Sequence, residues 1–252
     1  MLRLNAPKSW AELTEDQWRY VLTMMTVRSA LEVKVLMLLR FCGIGVLQLE
    51  KTGLYKCYHI VEDGKKVVVY LEGWQVQQLI HTFDFIDGYE DYTVRLNAVG
   101  DLKPVEELLH KVPFEDYLAL DKYYNGFLRN RNNTELLEKL GQILYLDKEG
   151  KSDEKQHFEE WQRLHCFLWF SHVKKEFARY FPNFLQPSSG LARKATDLSI
   201  INDMNIQIRA LTGGDVTKEE QIRKTDCWRA LTELDAKARE AAETRKLLKK
   251  KR

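Results

Sequence analysis

Six histidines, a short run of carboxylates, four cysteines and one glycine pair are the residues of this 252-residue sequence whose types could do chemistry. His157, His165 and His172 recur at near-helical spacing and would share one helix face. Along the axis, however, they would stand about 10 to 12 Å apart at a rise of about 1.5 Å per residue. A zinc ion needs its ligands at about 2 Å, so the three cannot share one site. His172 and Glu176, at i and i+4, could offer two ligands, but no His-Glu-x-x-His pattern accompanies them. The expectation is imidazoles packed among Trp161, Trp169 and Phe177, with His59, His81 and His110 isolated.

Asp84, Asp87, Glu90 and Asp91 lie near Tyr89 and Tyr92. Paired acids can serve glycoside hydrolysis or hold Mg²⁺, yet this run lacks the spacing of a calcium loop and reads as a solvated turn. Gly213-Gly214-Asp215 precedes a helix, where phosphate can bind. It lacks the Lys-Ser/Thr of a P-loop and follows no strand, so the glycines are expected to end one helix and Asp215 or Thr217 to begin the next. Cys42, Cys57, Cys166 and Cys227 show neither metal nor redox-motif spacing and read as free thiols of a reducing compartment. Cys166 beside His165 is no dyad, because adjacent helical side chains diverge by about 100°. Catalytic, cofactor and metal sites are thus all expected to be absent, and the chain reads as a non-enzyme.

The elements that must position these residues are mostly helices. Ser9 to Glu12, Thr14 to Gln17, Ser29 to Glu32 and Thr217 to Glu220 each fit a capping box. Helices are expected near 15–27 and 30–42, the second ended by Gly43. Leu54 to Val61, a turn at Glu62-Asp63-Gly64-Lys65, and Lys66 to Leu71 form the clearest β-hairpin. Trp74 to Phe83 reads as a helix with Trp74, Leu79 and Phe83 inward, and Tyr92 to Leu96 as a short strand. Pro104 suits a first helical turn. Pro113 should open a helix whose face carries Tyr117, Leu120, Tyr124 and Leu128. Asn133 should cap the next helix, and Ser152 or Asp153 should begin a long helix reaching about Phe181. Thr196 to Leu211 and a last helix from Thr217 complete the set. The fold class is mainly α: a helical bundle with a small β-hairpin in the N-terminal third. Two lobes are expected, 1–102 with the hairpin and 103–252 as the bundle with a basic tail.

Composition adds little chemistry but locates charge. Hydrophobic residues make up 44% and charged residues 30%, a globular balance. Residues 1–150 hold 18 Lys and Arg against 22 Asp and Glu, whereas 151–252 hold 21 against 15. The excess crowds at Arg245, Lys246, Lys249, Lys250, Lys251 and Arg252, which could meet nucleic-acid phosphates or complement a helix dipole. No stretch approaches the roughly 20 apolar residues of a membrane span, and the opening Met1-Leu2-Arg3-Leu4-Asn5 lacks a signal peptide's apolar run. No membrane association is expected. The stretch from Phe158 to Phe184 is so dense in aromatics that its helix is apolar in every direction, as a central bundle helix or one buried by a partner would be. Core is the default for it. The partner-binding candidates are Trp161 and Trp169 there, with Trp228 and Leu231 in the last helix.

Three phrases carry a resemblance: Ser9-Trp10-Ala11-Glu12-Leu13-Thr14-Glu15-Asp16-Gln17-Trp18; Phe167-Leu168-Trp169-Phe170 with Arg179-Tyr180-Phe181-Pro182-Asn183-Phe184-Leu185-Gln186-Pro187; and Leu211-Thr212-Gly213-Gly214-Asp215 with Asp226-Cys227-Trp228-Arg229-Ala230-Leu231-Thr232-Glu233-Leu234. Together they resemble proteins of uncharacterised function carried by phages and integrated elements of Bacteroidetes. The resemblance implies a role in tail or particle assembly or as a virion component. Its partners would be copies of itself or phage structural proteins, in the bacterial cytoplasm or the virion. It brings no functional residues with it.

Overall fold

Helix-entry chemistry shapes the first elements. In the computed structural model, which describes residues 6–61, 63–88, 91–153, 155–185 and 197–250, the chain divides into two compact units, Met1–Val94 and Arg95–Arg252. The first unit opens with a 3-10 turn, Trp10–Glu12, whose Ser9 makes no side-chain cap. Helix α1 (Glu15–Val27) and helix α2 (Ala30–Cys42) begin on complete capping boxes at Thr14/Gln17 and Ser29/Glu32, as their spacing predicts. Each box satisfies two orphan backbone donors and holds its helix start. Trp18, Val21 and Leu22 of α1 and Val33, Met37 and Leu38 of α2 fill the space between them.

Gly43 ends α2 in the left-handed conformation, φ 67°, and hands the chain to a sheet. That sheet has three antiparallel strands in the order β1 (Ile44–Leu49), β2 (Tyr55–Ile60), β3 (Lys66–Leu71). The hairpin is β2–β3, in register from Tyr55 opposite Leu71 to Ile60 opposite Lys66. Strand β1 extends it, with a register shift between Val46 and Gln48. Gly45 sits beneath the Tyr58 ring, where an added Cβ would fall 2.3 Å from ring atoms. Helix α3 (Gly73–His81) follows and buries Val76, but Trp74 lies outward at 59% exposure, contrary to the expected core position. Residues 92–96 are irregular backbone and not a strand. Trp10 is buried against Tyr92 and Phe85, and its indole N–H donates to the Phe85 carbonyl at 3.1 Å.

The second unit is the helical bundle. Pro104 belongs not to a helix but to a two-residue strand, β4 (Lys103–Pro104), paired with β5 (Tyr145–Leu146). A proline needs no ladder donor at such an edge. Pro113 stands just before α4 (Phe114–Arg129), where Tyr117 and Leu120 are buried, Tyr124 is half-buried and Leu128 is exposed. Thr134, not Asn133, precedes α5 (Glu135–Leu144). Helix α6 (Glu160–Tyr180) starts several residues later than Ser152 or Asp153. It enters on a Glu159/Gln162 box, which the Ser/Thr rule does not find. Helix α7 (Asp197–Thr212) ends at Gly213-Gly214, both at positive φ. Asp215, not Thr217, supplies the next cap and accepts from the Thr217 N–H. A short α8 (Glu219–Arg223) intervenes before α9 (Cys227–Lys250). Helix α6 is packed by α5 and α4, and α9 by α7 and α4. The protein is mainly α with a small N-terminal sheet.

Candidate functional site

His165 is one of the strongly perturbed titratable groups of the second unit. It is fully buried on α6, and burial lowers its pKa from 6.5 to about 3. Its Nε2 lies 2.8 Å from the Tyr145 hydroxyl, and the Leu96 backbone N–H reaches the same nitrogen at 3.5 Å. An amide can only donate, so Nε2 is the acceptor and the ring proton sits on Nδ1. A neutral imidazole held this way, beyond reach of solvent, stabilises a fold and moves no substrate proton. Cys166 beside it is likewise buried, and burial pushes its thiol far above the usual range. Burial pushes Cys227 up to about 12. Both are the inert kind of core thiol.

The other histidine candidates do not converge with it. His157 is exposed and touches Glu138, whose Oε1 also accepts the Phe158 N–H at 3.0 Å, so this acid ties down the approach to α6. The Glu176 carboxylate is engaged by Arg179 at 2.9 and 3.0 Å, so the His172/Glu176 spacing forms no ligand pair. Among the described residues, no group of three His, Cys, Asp or Glu could hold a metal ion.

In the first unit the carboxylate run has a partner that spacing could not reveal. Lys34 of α2, whose side chain is only 9% exposed, places its ammonium 2.5 Å from both Asp84 and Asp87, and Asp84 also meets His81 at 2.7 Å. Burial alone would favour the neutral amine, but the two carboxylates outweigh it and hold the Lys34 pKa above its ordinary value. Lys34 and His81 hold Asp84 below its own. The acids therefore neutralise a cation inside the fold. Glu90 lies outside the described residues.

Three of the four aromatic and aliphatic partner candidates lie inside the chain. Trp169 and Leu231 are fully buried and Trp161 nearly so. Trp161 donates to Glu159 at 2.7 Å, and Trp169 to the Glu107 carbonyl at 3.2 Å. Trp228 is half-buried: it donates to the Leu108 carbonyl at 2.5 Å, stacks on His110 and packs its edges against Phe177, Tyr180 and Phe181. Trp169 and Trp228 hold a tight turn at 107–112, where Leu109 and Lys111 adopt positive φ of 57° and 63° without being glycine. Asp226 and Cys227 complete the clamp, accepting the Lys111 N–H at 2.6 Å and donating to the Leu109 carbonyl at 3.1 Å. Such backbone persists only where its surroundings over-determine it. A partner could reach Trp169 or Leu231 only by opening the bundle.

Beside this turn runs a half-open cleft of about 490 Å³, lined in part by Glu106, His110, Lys111, Asp116 and Ser152. Burial, then Glu115, raises the Asp116 pKa. Lys111 pairs with Glu106 at 3.9 Å across exposed surface.

Apolar side chains are also exposed on the sheet of the first unit. Leu47 and Leu49 of β1, Val67, Val68 and Tyr70 of β3, and Trp74 of α3 are each about half exposed or more. No residue of β3 is buried. Its run Val67-Val68-Val69-Tyr70-Leu71 carries no charge, proline or bulge, the usual protections of an edge strand. Sequence reading missed this surface although its signal was present: β3 is apolar at consecutive positions where a half-buried strand should alternate. At the other end of the chain, Arg245, Lys246 and Lys249 are exposed on α9; the side chain of Lys250, and Lys251 and Arg252, lie outside the described residues. No described helix is long and apolar enough to cross a membrane. No family model, curated protein or solved structure matches the chain.

Proposed function

We propose that this chain is a non-catalytic protein–protein interaction component, and that it docks through the exposed sheet of its N-terminal unit and not through the aromatic helix of the bundle. The observation that carries the reading is β3: a six-residue edge strand with Val67, Val68 and Tyr70 about half exposed and no protective charge beyond Lys66. The chemistry of the buried groups supports it. His165, Cys166 and Cys227 are withdrawn from solvent, and Lys34 is neutralised by Asp84 and Asp87. The resemblance to phage and integrated-element proteins supports a place in tail or particle assembly, or in the virion, within a bacterial host. The test is size exclusion with light scattering, on the protein alone and with the products of neighbouring genes. A mass above 29.7 kDa, or a stable complex with a neighbour, is expected. A strict monomer that binds none of them at micromolar concentration overturns the reading.

A second reading, a nucleic-acid accessory role, has one observation in its favour. Residues 239–249 of α9 are exposed on all sides and carry Arg245, Lys246 and Lys249 with no ion pair among the described residues. Removal of residues 245–252 should then weaken DNA or RNA binding and flatten its salt dependence. Unchanged binding removes the tail from the account.

A further inference from the structure

The hydrogen-bonding pattern of the hairpin determines which backbone groups of β3 are left over. The Val61 N–H donates to the Lys65 carbonyl at 3.0 Å, whereas the Ile60 N–H points the other way, to Gly43 at 2.8 Å. Antiparallel strands alternate bonded and non-bonded pairs. With this register, Val67, Val69 and Leu71 therefore face β2 with their amides and carbonyls. Lys66, Val68 and Tyr70 turn theirs outward, away from the sheet. At one end the supply stops at Glu72: its N–H is held by Gln75 at 2.8 Å, and its carbonyl accepts from Gln75 and Val76. At the other end Lys65 and Gly64 are engaged in the turn. The free edge is thus a closed set of three residues with Val68 at its centre.

A set with this symmetry fits itself. Resting on the interaction reading above, we infer that the partner of this edge is a second copy of the chain, with β3 antiparallel to β3 about a two-fold axis at Val68. That register sets Val68 opposite Val68 and Lys66 opposite Tyr70 as bonded pairs, and Val67 opposite Val69 between them. Each bonded pair exchanges two hydrogen bonds, so about six form and every outward group is used. A shift of one residue to either side brings the occupied Glu72 or Gly64 into a bonded position and leaves outward groups unpaired. The side chains agree with the backbone. No like charges face each other. Each Lys66 meets a Tyr70 ring, the type of contact it already makes with Tyr58, where its ammonium sits 4.8 Å from the ring centroid. Apolar β-branched residues meet their own kind on both faces. The result is a continuous sheet built from two hairpins and both β1 strands, an isologous contact.

Val68→Pro tests this in the full-length protein. The lost N–H at position 68 points outward, so the β2–β3 ladder keeps its bonds while the outer edge is blocked. Val68→Lys places like charges opposite each other at the axis and gives a second, independent disruption. Sedimentation velocity from about 1 µM to about 100 µM should show a concentration-dependent dimer for the wild type and a dissociation constant raised at least about tenfold for both variants. Val68→Cys reads the register directly. Bonded partners have Cα atoms about 5.5 Å apart, within disulfide reach. Mild oxidation should therefore join two copies of this variant through the introduced thiols, seen by mass spectrometry, whereas Val67→Cys should form no such link at its own position. A wild type monomeric over the whole range with no disulfide in the Val68→Cys variant, or a dimer that survives both Val68→Pro and Val68→Lys, overturns the inference. A monomer that still holds a neighbouring gene product through this edge overturns the second copy but spares the interaction reading. A monomer that holds nothing sinks both.

Discussion

Acidification from about pH 7 to about pH 5 should cost the C-terminal unit about 2 kcal/mol of stability through His165. The folded imidazole has a pKa of about 3 against 6.5 for an unperturbed one. Below 6.5 the unfolded chain takes up a proton that the folded chain refuses. Stability is therefore complete above that value and falls as pH drops toward 3. Each unit of pH below 6.5 costs about 1.4 kcal/mol, and the titration curve between pH 7 and pH 5 sums to about 2. Asp84 and Asp235 have lowered pKa values and lose their contributions only below the ordinary carboxylate range. Asp116, with its raised pKa, acts with the opposite sign and gains stability as pH falls toward 3.8. The assay is urea unfolding at both pH values, followed by near-ultraviolet dichroism, in wild type and His165→Gln. The amide keeps an acceptor for Tyr145 but cannot take a proton. The variant should lose most of the pH dependence over this range. Equal slopes in the two proteins would refute the assignment of that proton to His165.

Further outcomes follow from the packing. Trp228→Phe keeps most of the ring but strips the Leu108 carbonyl of its donor, and should destabilise the bundle by about 1 to 3 kcal/mol in denaturant titration. Gly45→Ala drives a methyl into the Tyr58 ring and should cost about 1 to 3 kcal/mol, read as a lower melting temperature of the N-terminal unit by calorimetry. Asp84→Asn with Asp87→Asn leaves the Lys34 ammonium without its counter-charges. The N-terminal unit should then melt lower, and more so at neutral than at strongly alkaline pH, where the amine can shed its proton.

What the sequence discloses follows the range of the signal. The boxes at Thr14 and Ser29 and the stop at Gly43 are local chemistry, and α1 and α2 form where they point. The β2–β3 hairpin is legible from its β-branched run and glycine turn. β1 is not, because the irregularity between Val46 and Gln48 breaks its alternation and Gly45 reads as a breaker. Pro104 misleads because a proline suits a helix start and a strand edge equally well, and only the distant Tyr145 decides between them. The same range limits the site. Aromatic density around Trp169 marks a buried helix, but no spacing rule shows whether its cover is α4 and α5 or another chain. The partner of Trp228 is a carbonyl 120 residues away. Lys34 stands 50 residues before Asp84, so their ion pair is invisible to any motif.

Amide hydrogen exchange across β3 tests the docking role of the N-terminal sheet most directly. In the dilute free chain the amides of Val67, Val69 and Leu71 should be protected and those of Lys66, Val68 and Tyr70 should exchange fast. On self-association at high concentration, or on addition of a partner, the second set should slow to match the first. Fast exchange at Lys66, Val68 and Tyr70 under every such condition would contradict the account.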